Sequence, residues 1–139
     1  MKEIMALVRM NKTSATKKAL VEAGVAGFTA VKVLGRGKPV PKPEVLEKHK
    51  KELMKMAHDD INDPVDTEEQ VTSFLDGSRP FPRRLFTIMA YDEDVPRIVN
   101  AITLANKSEN AVGDGIILVL PILDVVRVRT GESGEAAIW

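Results

Sequence analysis

Residues 110–132 read NAVGDGIILVLPILDVVRVRTGE: two glycines flank an aspartate, Gly113-Asp114-Gly115, just before an apolar run, and Arg127 and Arg129 follow it two residues apart. Glycines let backbone amides approach an oxyanion closely and form a concavity around it. The same three residues also make an ordinary turn. At i and i+2 of a strand, Arg127 and Arg129 project to one face. Their mutual repulsion is relieved by an anion between them, and a guanidinium fork suits phosphate oxygens. A solvated sheet edge carries such a pair equally well. The stretch is therefore either a turn with strand decoration or a grip on something anionic.

A second glycine and cation group, Gly35-Arg36-Gly37-Lys38, sits at the end of a strand where a long segment begins. It is weakly phosphate-like but lacks the spacing of a P-loop or of a dinucleotide fingerprint. Arg83-Arg84, after Phe81-Pro82, stand where that segment ends, either clamping a carboxylate or starting a charged strand. His49 and His58 are nine apart, whereas a helical metal pair needs i and i+4. Asp59, Asp60, Asp63 and Asp66 miss the EF-hand spacing and read as a solvated acidic turn. No metal site is expected, and without a Ser-His-Asp arrangement or a paired acid and base the chain does not read as an enzyme.

These groups need elements to hold them. Ile4, Ala6 and Val8 alternate as a buried strand. Asn11 or Thr13 carries helix-starting chemistry, Thr16, Ala19, Leu20 and Ala23 recur at helical spacing, and Gly24 stops the helix. Residues 28–34 and 83–90 read as strands. Val95, Ile98, Val99 and Ile102 mark a second amphipathic helix, and GIILVL and LDVVRVR read as two more strands. The order β-α-β, interlude, β-α-β-β suggests an α+β, ferredoxin-like split β-α-β sandwich with two helices on one face of an antiparallel sheet. The other face then needs a cover, which self-association supplies. The proline-rich interlude, 36–82, is long for a compact domain. Leu46, Leu53, Ala57 and Ile61 share a helical face within 43–61, either packed on the protein's own body or presented to a partner's groove.

The 139 residues amount to one domain, with 20 basic and 20 acidic side chains and no cysteine. No thiolate metal site or disulfide framework exists. The balanced charge argues against a general nucleic-acid binder, and 4% aromatics are too few for a base-stacking platform. The apolar stretch Ile4–Val8 is too short for a signal segment and nothing later approaches a membrane span, so a cytoplasmic protein without membrane insertion is expected.

In order along the chain, Gly27-Phe28-Thr29, VLGRG, FPRR, Val112-Gly113-Asp114-Gly115 and VVRVRTGESGEAAI resemble the PII signal-transduction family (GlnB/GlnK-like proteins). The resemblance covers 1–37 and 81–139, about two-thirds of the chain, and the spaced run VGDG…RVRTGE is its most specific part. It implies one PII-like domain over 1–139, trimeric, with an extended T-loop at 38–82. It also implies ATP or ADP in clefts between subunits, with 2-oxoglutarate beside ATP through magnesium at the base of the loop. One protomer would give Gly35, Arg36, Gly37, Lys38 and Gly113-Asp114-Gly115 to the nucleotide. Its neighbour would give Gly27, Phe28 and Thr29, with Arg127 and Arg129 on the phosphates. Gly37, Lys38, Arg83 and Gly113 would meet 2-oxoglutarate, Arg83 standing where the family has a lysine.

Three departures accompany the resemblance. Pro39 replaces a glutamine that ligates magnesium and touches 2-oxoglutarate, and proline has neither a side-chain oxygen nor an amide hydrogen. Ile116 replaces a phosphate-binding lysine. Tyr91 is the one tyrosine and lies beyond the loop, so the loop has no tyrosine to modify. A lengthened, tyrosine-free loop with an arginine-rich return looks like the archaeal NifI branch, paralogues that assemble together and inhibit nitrogenase at its molybdenum-iron component. A homotrimer or an assembly with a paralogous subunit, and nitrogenase as target, are what that likeness implies. An ammonium transporter or a nitrogen-assimilation enzyme is the alternative target. An RRM-like RNA-binding module, which shares the element order, is the alternative of another class.

Overall fold

The computed structural model describes residues 1–37, 80–109 and 113–138. The helical reading over 43–61, both histidines, the acidic run at 59–66, Lys38 and Pro39 lie outside them. In chain order the elements are β1 (Lys2–Arg9), α1 (Thr13–Glu22), β2 (Thr29–Gly35), β3 (Phe81–Ala90), α2 (Val95–Asn106) and β4 (Ile116–Pro121). They build a four-stranded antiparallel sheet in the order β2-β3-β1-β4. This is the ferredoxin-like arrangement that the sequence suggests.

Local chemistry sets the element boundaries. Thr13 stands at the start of α1 but its hydroxyl donates back to Met10 O at 2.6 Å rather than capping forward. Gly24, at φ +72°, ends the helix, with its amide on Val21 O and the Val25 amide on Leu20 O. That pair of bonds is a Schellman closure, which glycine adopts without a Cβ penalty. Pro96 occupies the first turn of α2, where its missing amide hydrogen costs nothing.

The alternating residues Ile4, Ala6 and Val8 turn inward with Phe86, Ile88 and Ala90, and meet Leu20, Ile98 and Ile102 from the helices. Asn106 ties the two helices together, donating to Thr16 Oγ1 at 2.9 Å while also reaching Ile102 O. The opposite sheet face carries one register row of Val31, Leu85, Leu7 and Ile116 and a second of Thr29, Thr87, Met5 and Leu118. No described helix covers it, and Val31, Met89, Ile116 and Leu118 are exposed.

Two sequence expectations change. The strand expected at 83–90 begins two residues earlier, so Phe81 and Pro82 are its first residues. The strand expected over Leu123–Arg129 does not form in the sheet. Residues 125–134 instead fold back on themselves, with Val126 bridging Ser133 and the Arg127 amide donating to Glu132 O at 2.8 Å. The period-2 pattern is present, yet a strand needs a ladder partner, and among the described residues the backbone bonds of 125–127 go to their own return arm. Val128 consequently stays fully exposed and Leu123 nearly so.

Candidate functional site

The expected site residues fall into two groups at opposite ends of the sheet. At the first end, Arg9 closes β1 directly opposite Arg83 near the start of β3. Arg9 Nε and Arg83 Nη1 both donate to the Gly113 carbonyl oxygen, each at 3.1 Å. Arg9 also pairs with Asp114 at 3.2 Å, and Asp114 accepts the Ser108 amide and hydroxyl. Gly35 adjoins the same group, since a Cβ there would meet the Arg83 Cγ at 3.9 Å. Arg36 and Gly37 follow, exposed, at the end of β2.

Both turn glycines are required by geometry. Gly113 has φ +90°, and a Cβ on it would lie 2.9 Å from Arg83 Nη2. Gly115 has φ +119°, and a Cβ on it would run into the Leu7 carbonyl oxygen. Such φ values favour glycine for steric reasons alone. Burial works against the Arg83 charge, the nearby Arg9 charge adds to that, and together they hold its pKa below the ordinary value against the opposing pull of Asp114. An anion arriving at this end relieves that pressure.

At the other end, a cavity of about 780 Å³ is bordered by Gly27, Phe28 and Thr29 at the entry to β2, and by Arg127 and Arg129 from the hairpin. Glu3, Asp124 and Ile138 complete much of its wall. That volume falls in the range of small-molecule sites. The Phe28 ring packs edge-on against Phe86 at 5.7 Å, so its bulk belongs to the core. Arg129 is exposed. Arg127 is held by Glu132 at 2.9 Å and by Ala136 O at 3.2 Å.

The two groups cannot serve one small ligand within a single protomer. Thr29 pairs with Thr87 while Gly35 pairs with Phe81, so six residue steps of β2 separate them. At strand rise that is about 20 Å. Lys38 lies outside the described residues and joins neither group here. Arg9, Ser108 and Glu132 were not singled out from the sequence. Arg9 ends an apolar strand as any solvated strand end does, and its role depends on a register with Arg83 that the sequence does not display.

Among the described residues no group of three or more His, Asp or Glu side chains is placed to hold a metal, and no helix is long and apolar enough to cross a membrane. Asp114 is already engaged by Arg9 and Ser108, and residue 39 is proline. The described residues therefore do not fit a protein-held magnesium ion.

The sequence matches the family "Nitrogen regulatory protein P-II" over residues 1–132. The chain belongs to that family, whose members are signal-transduction regulators rather than enzymes. It is 38% identical over 138 residues to "Nitrogen fixation nifHD region glnB-like protein 2" of Methanococcus maripaludis, spanning 99% of this chain and 100% of that one. It is 35% identical to "Nitrogen fixation nifHD1 region GlnB-like protein 2" of Methanosarcina barkeri over 99% of both chains. It is 32% identical to "Nitrogen regulatory protein P-II" of Rhodobacter capsulatus over 99% and 100% of the two chains. A crystal structure of Arabidopsis thaliana PII bound to citrate superposes with a TM-score of 0.64 at 24% identity, over 98% of this chain and 90% of that one, and agrees in fold. The family and the relatives' names agree with the PII reading and its nitrogen-fixation branch. The RNA-binding alternative loses its one aromatic candidate, because Phe86 is fully buried against the helices.

Proposed function

We propose that this nitrogen regulator senses ATP or ADP together with 2-oxoglutarate in clefts between subunits, and inhibits nitrogenase through the segment 38–82. The observation that carries the reading is the separation of the two residue groups. Glycine turn and cations stand at one end of the sheet, and the arginine-lined cavity stands about 20 Å away. A second copy that brings its cavity against the first copy's glycine turn completes a site neither holds alone. The uncovered apolar sheet face supplies a reason to associate.

In this arrangement Gly35, Arg36, Gly37 and Gly113-Asp114-Gly115 of one protomer, joined by Lys38, approach the nucleotide through backbone amides and cations. Gly27, Phe28 and Thr29 of the neighbour border its base, and Arg127 and Arg129 take the phosphates. Arg83, with Gly37, Lys38 and Gly113, receives a 2-oxoglutarate carboxylate. A guanidinium keeps the charge of an ammonium there and presents its donors as a planar fork that matches a carboxylate. The ligands sit where the chain leaves β2 and re-enters the sheet at β3, so they bias the intervening segment directly. Moving its population from 1:99 to 99:1 requires about 5.5 kcal/mol of differential binding.

The likeness to nitrogen-fixation-region proteins favours nitrogenase over an ammonium transporter as target. Acetylene reduction by purified nitrogenase tests this. The protein, alone or with its paralogue, is expected to lower the rate, and 2-oxoglutarate with ATP is expected to restore it. Full nitrogenase activity at every ratio, with capture of an ammonium transporter instead, favours the second target.

A further inference from the structure

Arg127 is already occupied by an anion that belongs to the chain itself. The Glu132 carboxylate accepts Arg127 Nη1 at 2.9 Å and the Thr130 hydroxyl at 2.8 Å. The other guanidinium arm donates to Ala136 O at 3.2 Å. The hairpin backbone fixes this arrangement, because the Thr130 and Gly131 amides both close on Arg127 O and the Gly134 amide closes on Val125 O. Gly131 and Gly134, at φ +74° and +69°, make the two bends. Glu132 is thus set on Arg127 by a tight turn rather than by a chance side-chain rotamer. Asp124, the hairpin's other carboxylate beside the cavity, is taken by the amides of Val125 and Gly134 and does not reach Arg127.

We propose that Glu132 competes intramolecularly with an incoming anion for Arg127, and so sets the affinity of the cavity. The inference rests on the nucleotide reading above. A phosphate group that takes the Arg127 fork must displace the carboxylate, which then stands beside a second negative charge. Only a ligand whose phosphates reach Arg127 can do so, and a doubly charged terminal phosphate exchanges for one carboxylate with a net electrostatic gain. Glu132 therefore discriminates by charge: it holds the fork closed against singly charged groups and yields to a polyphosphate. Arg129, which makes no ion pair among the described residues, gives the incoming phosphate its first contact.

Titration calorimetry of the full chain with ATP tests the inference. Glu132→Gln removes the competing charge and is expected to tighten ATP binding about fivefold, the upper range for a solvent-exposed pair. Glu135→Gln makes the same change of net charge on a side chain that does not touch Arg127, and is expected to leave the affinity unchanged. Thr130→Val, which frees the carboxylate from its second anchor, carries the same test if Glu132→Gln unfolds, and is expected to tighten binding by a smaller factor. Unchanged or weaker ATP binding by Glu132→Gln, with the wild type binding normally, overturns the inference and leaves the nucleotide reading standing. Equal tightening by Glu135→Gln also overturns it, since net charge then explains the effect. No ATP binding by any of these proteins overturns the nucleotide reading itself.

Discussion

Arg9 and Arg83 face each other across β1 and β3, and both donate to the carbonyl oxygen of Gly113 at 3.1 Å. Two cations on neighbouring strands thus converge on one turn, where the Asp114 carboxylate joins them. The arrangement fixes the turn from the strand side, while Ser108 fixes it from the end of α2.

Removing the Arg9 guanidinium therefore unfastens the turn. The side chain is almost fully buried, so truncation also leaves polar partners without a donor. Arg9→Ala is expected to cost about 3 kcal/mol in denaturant unfolding. Arg9→Lys keeps the charge but not the fork, and recovers part of the loss.

Gly115 is the least replaceable position in the turn. Its φ of +119° is unfavourable for any side chain, and the added Cβ meets backbone rather than a movable side chain. Gly115→Ala is expected to lose about 2–3 kcal/mol of stability by thermal unfolding, with β4 shifted away from Leu7. Gly37→Ala, where nothing lies within 4 Å of the added Cβ, is expected to leave stability unchanged.

Asp114 makes stability depend on acid. Burial pushes its carboxyl upward, but the Ser108 hydroxyl and amide and the Arg9 charge together outweigh burial, and the net pKa lies below the ordinary 3.8. A depressed carboxyl contributes its stability in full above the unfolded-state value, and loses it as pH falls through the folded-state value. The wild type is expected to exceed Asp114→Asn in stability at pH 5 to 7, and the two unfolding curves are expected to converge as the pH falls below 3.8 and through the lower folded-state value. Parallel curves across that window count against this role of Asp114.

A buried polar contact, from Asn106 to Thr16, links the two helices beside their apolar packing. Thr16→Val leaves the buried Asn106 amide short of a partner, and is expected to cost about 1–2 kcal/mol in denaturant unfolding.

Much of this fold is written in local pattern. Ile4, Ala6 and Val8 alternate because their strand has one covered face, and Ile98 and Ile102 recur at helical spacing because their helix covers it. Gly24 announces its own turn. The Leu123–Arg129 segment shows the limit of such reading: alternation reports that a strand is possible, whereas a ladder requires a neighbour that no local pattern names. Arg127 and Arg129 stand out in the sequence as a cation pair, yet Glu132, five residues on, is not legible there as the carboxylate that pairs with Arg127. Arg9 was missed for a related reason. Its meaning comes from Gly113, 104 residues away, through a β1–β3 register set by the whole sheet.

The division of the site between two copies is the central claim, and mixed assemblies test it directly. Arg127→Ala with Arg129→Ala disables the cavity end. Gly113→Asp places a negative charge at the turn end. Each variant alone is expected to bind no ATP in calorimetry. Co-assembled, some clefts combine the intact cavity of one variant with the intact turn of the other, and ATP binding is expected to return at that fraction of clefts. A mixture that binds no ATP, formed from variants that each fold and co-assemble, contradicts a site shared between subunits, as does normal ATP binding by either variant alone.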